Sequence, residues 1–141
     1  MTNTVGDPED VTDGATAHQL CWDFGPGELP PLTAIRQQLA TWLTGIAQAV
    51  VADLQLVATE LVSNAYEHGW LPGQVRVSRP DPRLIRIEVD DRSPTLPQLG
   101  QPTIAETRGR GLGLVDRLAK RWGVISTSWG KTVWAEIAVP S

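Results

Sequence analysis

The 141-residue sequence predicts a two-layer α+β domain: one mixed, mostly antiparallel sheet with helices on one face. Three observations carry this. Before residue 70 the apolar residues recur mainly at three- and four-residue steps, and after it mainly at every second position. The segments run strand, two helices, two strands, loop, helix, two strands, an order that brings the strands into one sheet. A chain of this length with 41% hydrophobic residues supports one core and not two.

Residues 1–17 are polar, acidic and rich in Thr, Asp and Gly, and read as a disordered tail; residues 18–141 form the domain. "HQLCWDF" alternates weakly and suits an edge strand, and "GPGELPP" breaks it. A helix is expected from about Pro31, because Leu32, Ile35, Leu39, Trp42 and Leu43 share one face, with Gly45 as its stop. A second helix follows, with Val50, Leu54, Val57, Leu61 and Ala65 inward and Gly69 at its end. "QVRVSRP" and "RLIRIEVDD" form a hairpin about "PDP". Residues 92–108 hold three prolines and no period, and a loop of that length in a small domain is usually functional or disordered. "GRGLGLVDRLAKRWG" is a glycine-rich lead into a helix with Leu112, Val115, Leu118 and Ala119 inward, and "VISTSW" and "KTVWAEIAVP" close the sheet through a turn at "GK".

Composition excludes several function classes. The net charge of -4 gives no general pull toward nucleic acid or anionic lipid. No apolar run reaches the roughly 20 residues of a membrane span, and the N-terminus lacks a basic-then-apolar signal, so a cytoplasmic protein is expected. The single cysteine, Cys21, excludes an internal disulfide and a cysteine-based zinc site.

Three clusters carry chemistry. "RGRGLGLV", Arg108 to Val115, places glycines at alternate positions, which lets backbone N–H groups approach an anion at a helix N-terminus. It is no P-loop, since Leu114 and Val115 stand where Lys and a hydroxyl are needed, and the spacing also fails the dinucleotide fingerprint. Simple turn geometry is the alternative. On the second helix Glu60 and Asn64 lie a turn apart on one face; Asn64 can ligate Mg2+ through its oxygen and Glu60 can act as a base. The alternative is an ordinary solvated face. On the strand "RLIRIEVDD", Asp91 shares the face of Ile85, Ile87 and Val89, while Asp90 points outward. A carboxylate on an apolar face needs donors, and an adenine amino group is one; a cap on the loop at Ser93 is the other reading.

Together, "ELVSNAYEH", "VDDRS", the long loop, "GRGLGLV" and "GKTVWAEI" resemble the sequence boxes of the GHKL ATPase superfamily, the Bergerat (histidine-kinase-like ATPase) fold, over about residues 18–140. Within it the compact form is similar to the anti-sigma factor serine/threonine kinases related to SpoIIAB and RsbW, in the ATP-binding regulatory version of actinobacteria. The resemblance implies ATP and Mg2+ as cofactors. It implies Glu60 as general base, Asn64 as the Mg2+ ligand, and Asp91 as acceptor of the adenine amino group, with Ser93 beside it and Thr132 assisting through a water. It also implies phosphate contacts from Gly109, Gly111 and Gly113, with the intervening Leu112 in the same loop, and a lid over residues 92–108. Arg108 and Arg110 stand where they could add charge near the γ-phosphate, or be solvated.

The expected activity is that of an anti-sigma factor kinase that sequesters a sigma factor and phosphorylates a STAS-type antagonist, with no direct nucleic-acid or membrane partner. Homodimerisation, common among these kinases, is not legible in one chain. The family's first glycine box is usually D-x-G, and here it is Asp91-Arg92-Ser93 followed by Pro94. Glycine there permits a positive φ and close approach to the base. Its loss motivates the rival reading, a non-catalytic or weakly nucleotide-binding interaction module of the same fold. A detached histidine-kinase catalytic domain is disfavoured, because neither His18 nor His68 tops a preceding dimerisation helix. Trp42, Trp122 and Trp134 are expected in packing and Trp70 at a surface.

Overall fold

The computed structural model describes residues 19–94 and 106–140, and for residues 106–111 the backbone alone. The expected tail, His18, and the lid between residues 95 and 105 lie outside the described residues. The elements follow as β1 (Gln19–Phe24), α1 (Leu32–Trp42), α2 (Gln48–His68), β2 (Gly73–Asp81), β3 (Leu84–Asp91), α3 (Glu106–Leu118), β4 (Arg121–Thr127) and β5 (Gly130–Ala138). The five strands form one sheet in the order β1-β2-β3-β5-β4, and every neighbouring pair is antiparallel. This is the expected α+β class, with β1 on an edge.

Strand alternation divides the sheet into two unlike faces. Toward the helices point Val75 and Val77 of β2, Ile85, Ile87 and Val89 of β3, and Val133, Ala135 and Ile137 of β5, all buried. They meet Ile35 and Leu39 of α1, the buried stripe of α2 (Val50, Leu54, Val57, Ala58, Leu61, Val62, Ala65), and Leu112 and Val115 of α3. The helices form because these apolar steps of three and four need one covered face. Pro31 precedes α1, where a missing N–H and a fixed φ cost nothing. Gly45, with φ of 96°, turns the chain after it. None of the described helices is long and apolar enough to cross a membrane.

Two boundaries differ from expectation. The last hairpin turns at Ser128 and Trp129, and Gly130 and Lys131 already belong to β5, paired with Thr127 and Ser126. Gly130 is needed for proximity: a Cβ there would collide with the Asp91 carbonyl oxygen and the Arg92 backbone, so the glycine lets β5 begin against the end of β3. The other difference is α3, which begins at Glu106, so Gly109, Gly111 and Gly113 fall within its first turns and do not form a loop ahead of it. Burial of Leu112 (5% exposed) and Val115 (0%) anchors the helix there. Each helical glycine costs about 1 kcal/mol relative to alanine, which makes this N-terminal half its weakest part. Gly113 is not required by space, since a Cβ there would meet nothing within 4 Å.

Candidate functional site

Asp91 ends β3 on the helix side of the sheet, in line with Ile85, Ile87 and Val89, and is only 2% exposed. A carboxylate at that depth must be compensated. Its Oδ1 accepts the Ser93 N–H at 2.8 Å and Lys131 Nζ at 3.0 Å. The Ser93 bond is an i to i+2 link of the kind Asp makes in turns, and among the described residues no non-glycine has a positive φ. Serine therefore fits this bend without the conformation that a glycine would supply. Lys131 faces Asp91 directly across the ladder between β3 and β5, and its side chain is 6% exposed. Behind them, a Cβ on Gly69 would lie 2.5 Å from Asp91 Cγ, so the C-terminal end of α2 touches the carboxylate only because residue 69 is glycine.

Gly69 also fixes where the other candidates stand. Its N–H caps Ala65 O at 3.0 Å, continuing the helix to the contact with Asp91. Asn64 lies five residues and Glu60 nine residues earlier on α2, which at about 1.5 Å per residue is roughly 7.5 and 13.5 Å along the axis. Both are half-buried beside the apolar stripe, and neither side chain is hydrogen-bonded to another of the described residues. Asn64 and Glu60 thus share one face of α2, at increasing axial distance from the end of the helix that meets Asp91. Among the described residues no three His, Cys, Asp or Glu side chains cluster to hold a metal. A Mg2+ that shares one Asn oxygen with phosphates and waters needs no such cluster.

Thr132 is not part of this group. Strand alternation turns it to the opposite face, where its hydroxyl donates to Asp90 Oδ1 at 2.7 Å. The residue on the Asp91 face is Lys131, which the sequence reading missed. Its signal was available: Lys131 has the same parity as Val133, Ala135 and Ile137. Leu112 sends its side chain into the core, and its backbone lies inside α3 beyond the first turn. Arg108, Gly109, Arg110 and Gly111 lie in α3, their side chains outside the described residues. Gly113 follows on the same helix.

On the far face, Arg76 grips Asp90 through two bonds of 2.6 and 3.0 Å, and Arg86 joins Glu136 at 2.8 Å and covers the Trp134 ring at 4.4 Å. The hydrogen bond to Asp90 raises the Arg76 pKa further above its ordinary value. Burial alone would raise the Glu136 carboxyl, but hydrogen bonds from Arg121 and Arg86 outweigh it and hold the group below its ordinary 4.5. A cleft of about 490 Å³ opens at the strand ends, lined among others by Asp23, Phe24, Glu28, Asp90, Arg92 and Trp129.

The model of the histidine kinase-like ATPase domain matches residues 25–137, from the turn after β1 through most of β5. The chain belongs to that family. Histidine kinase-like ATPase domains of the GHKL superfamily bind ATP, usually with Mg2+. No curated protein matches the chain. Among solved structures it is similar to the histidine kinase domain from the Erythrobacter litoralis EL346 blue-light activated histidine kinase, at 19% identity and a TM-score of 0.51, covering 77% of this chain and 59% of that one. It is also similar to the Erythrobacter litoralis EL346 blue-light activated histidine kinase, at 19% identity and a TM-score of 0.56, covering 77% and 40%. This chain thus spans 59% and 40% of those proteins, and the likeness is one of fold.

The donor set of this histidine kinase-like ATPase domain fits an adenine nucleotide. Asp91 offers a carboxylate acceptor in an apolar wall, packed against Gly69, and Asn64 and Glu60 carry side-chain oxygens elsewhere on α2. Breaking the buried Asp91–Lys131 pair from one side would leave an uncompensated charge, at a cost of about 3–5 kcal/mol.

Proposed function

We propose that the protein is an ATP-dependent serine/threonine protein kinase and anti-sigma factor, which sequesters a sigma factor and phosphorylates a STAS-type antagonist. The observation that supports nucleotide use is the buried Asp91 carboxylate against the end of α2, the helix that also carries Asn64 and Glu60, within a histidine kinase-like ATPase domain. ATP with Mg2+ supplies the transferable γ-phosphoryl group. Asp91 accepts a hydrogen bond from the base. Asn64 holds the metal through its carboxamide oxygen. Glu60 takes the proton of the attacking serine or threonine hydroxyl as that oxygen bonds to the γ-phosphorus and the bond to the ADP leaving group breaks. The rest of the rate comes from positioning and charge stabilisation.

The test is phosphotransfer. Incubating the protein with Mg-ATP and its cognate antagonist is expected to yield phosphoserine or phosphothreonine on the antagonist, and Glu60→Ala is expected to retain ATP and lose transfer by about 100-fold or more. No phosphoprotein in the parent reaction, with the sigma factor still bound, would remove the kinase. A second reading, a regulatory module without catalysis, is favoured by one observation: Asp91 Oδ1 already serves both Lys131 and Ser93. Absence of ATP binding by calorimetry would support that reading.

A further inference from the structure

Lys131 has more donors than the described structure uses. A lysine ammonium carries three N–H groups and no acceptor. Here the side chain is 6% exposed, and its one acceptor among the described residues is Asp91 Oδ1 at 3.0 Å. Both hydrogen bonds to Asp91 fall on that same oxygen, while Oδ2 takes none from the described residues and faces Gly69, the position that admits no Cβ. A buried acceptor and a buried, partly unspent donor therefore sit side by side on one wall of the site. Their register is fixed, because Asp91 and Lys131 are direct partners in the β3–β5 ladder and Gly130 lets β5 begin tight against the end of β3.

We propose that Lys131 is a base-reading residue: Asp91 accepts from the 6-amino group of adenine, and Lys131 donates to the neighbouring ring nitrogen N1. This rests on the adenine-nucleotide reading above and assigns the second half of base recognition, which Thr132 cannot supply from the opposite face. Adenine presents a donor and an acceptor on adjacent positions of one edge, the complement of the carboxylate and ammonium. In the same ring pose guanine sets its O6 against the carboxylate and its N1–H against the ammonium. Both groups are desolvated, so each mismatch is expensive. The pair also enters binding already neutralised, so the base does not have to compensate a lone buried charge.

The experiment is calorimetric titration of the full chain, in Mg2+ buffer, with ADP, 1-deaza-ADP (N1 replaced by C–H) and GDP. The unmodified protein is expected to bind 1-deaza-ADP about 10-fold or more weakly than ADP, and GDP weaker still. In Lys131→Met the ratio between ADP and 1-deaza-ADP is expected to fall below about 3-fold, since the donor that senses N1 is gone. Equal affinities for ADP and 1-deaza-ADP in the unmodified protein would overturn the role of Lys131 while leaving the nucleotide site standing. Retention of the full ratio in Lys131→Met would overturn that role in the same way. No binding of ADP at all would overturn the nucleotide reading and this inference with it. The unmodified protein alone decides the matter if the variant fails to fold.

Discussion

Asp90 and Asp91 are adjacent in sequence, and the sheet sends them to opposite uses. Asp90 lies on the face without helices, among charges that satisfy one another: two bonds from Arg76 and one from Thr132. Asp91 lies on the helix side, 2% exposed, with one oxygen doubly engaged and the other turned to the end of α2. The outer carboxylate is spent on the fold, whereas the inner one keeps an acceptor in reserve. Burial alone does not mark a site; unspent hydrogen-bonding capacity beside burial does.

The largest effect expected is on the inner pair. Asp91→Ala should lower unfolding stability by about 3–5 kcal/mol, because the Lys131 ammonium stays buried without its partner. Asp91→Ala combined with Lys131→Met should recover much of that loss, which urea titration would read as strong non-additivity. Simple addition of the two single losses would show that the residues are not coupled. On the outer face Glu136→Ala should cost less, about 1–2 kcal/mol, since Arg121 is 63% exposed and its bond is solvent-screened. Glu136 also predicts a pH dependence. Its folded pKa is depressed, so its contribution is present above the ordinary 4.5 and is lost as the pH falls below that value toward the folded pKa. In Glu136→Gln the acid side of the stability profile should therefore flatten.

Smaller changes separate stability from binding within the inner site. Gly113→Ala meets open space, so it should stabilise α3 by about 0.5–1 kcal/mol. If the glycines present backbone N–H groups to phosphates, the same change should weaken ADP binding several-fold; a gain in stability with unchanged affinity would confine Gly113 to the helix. The smallest effect concerns Cys21 on β1. Burial, then the nearby Asp23, pushes its thiol above the ordinary 9.0, so alkylation at pH 8 should run slower than for a free thiol such as glutathione.

The sheet and helices were legible because their periods are strong. Ile85, Ile87 and Val89 already placed Asp91 inward and Asp90 outward, and the apolar steps of α2 put Glu60 and Asn64 on one face. The resemblance set Thr132 beside Asp91, whereas the parity of β5 sets Lys131 there; Gly130 looked like a turn residue and concealed that Lys131 was already in the strand. Glycine signals a tight approach as readily as a turn, and a sequence does not distinguish them. For the same reason Gly109, Gly111 and Gly113 suggested a loop, although burial of Leu112 and Val115 carries the helix through them. Ser93 in place of glycine suggested a weakened bend, but a side-chain bond from Asp91 holds it with an ordinary backbone.

The contrast between the two aspartates is tested most directly by measuring ADP affinity in Mg2+ buffer for Asp91→Asn and Asp90→Asn, each checked for folding by circular dichroism. A loss of about tenfold or more is expected for Asp91→Asn, against a change within about twofold for Asp90→Asn. Equal losses, or a loss at Asp90 alone, would contradict the division of roles between them.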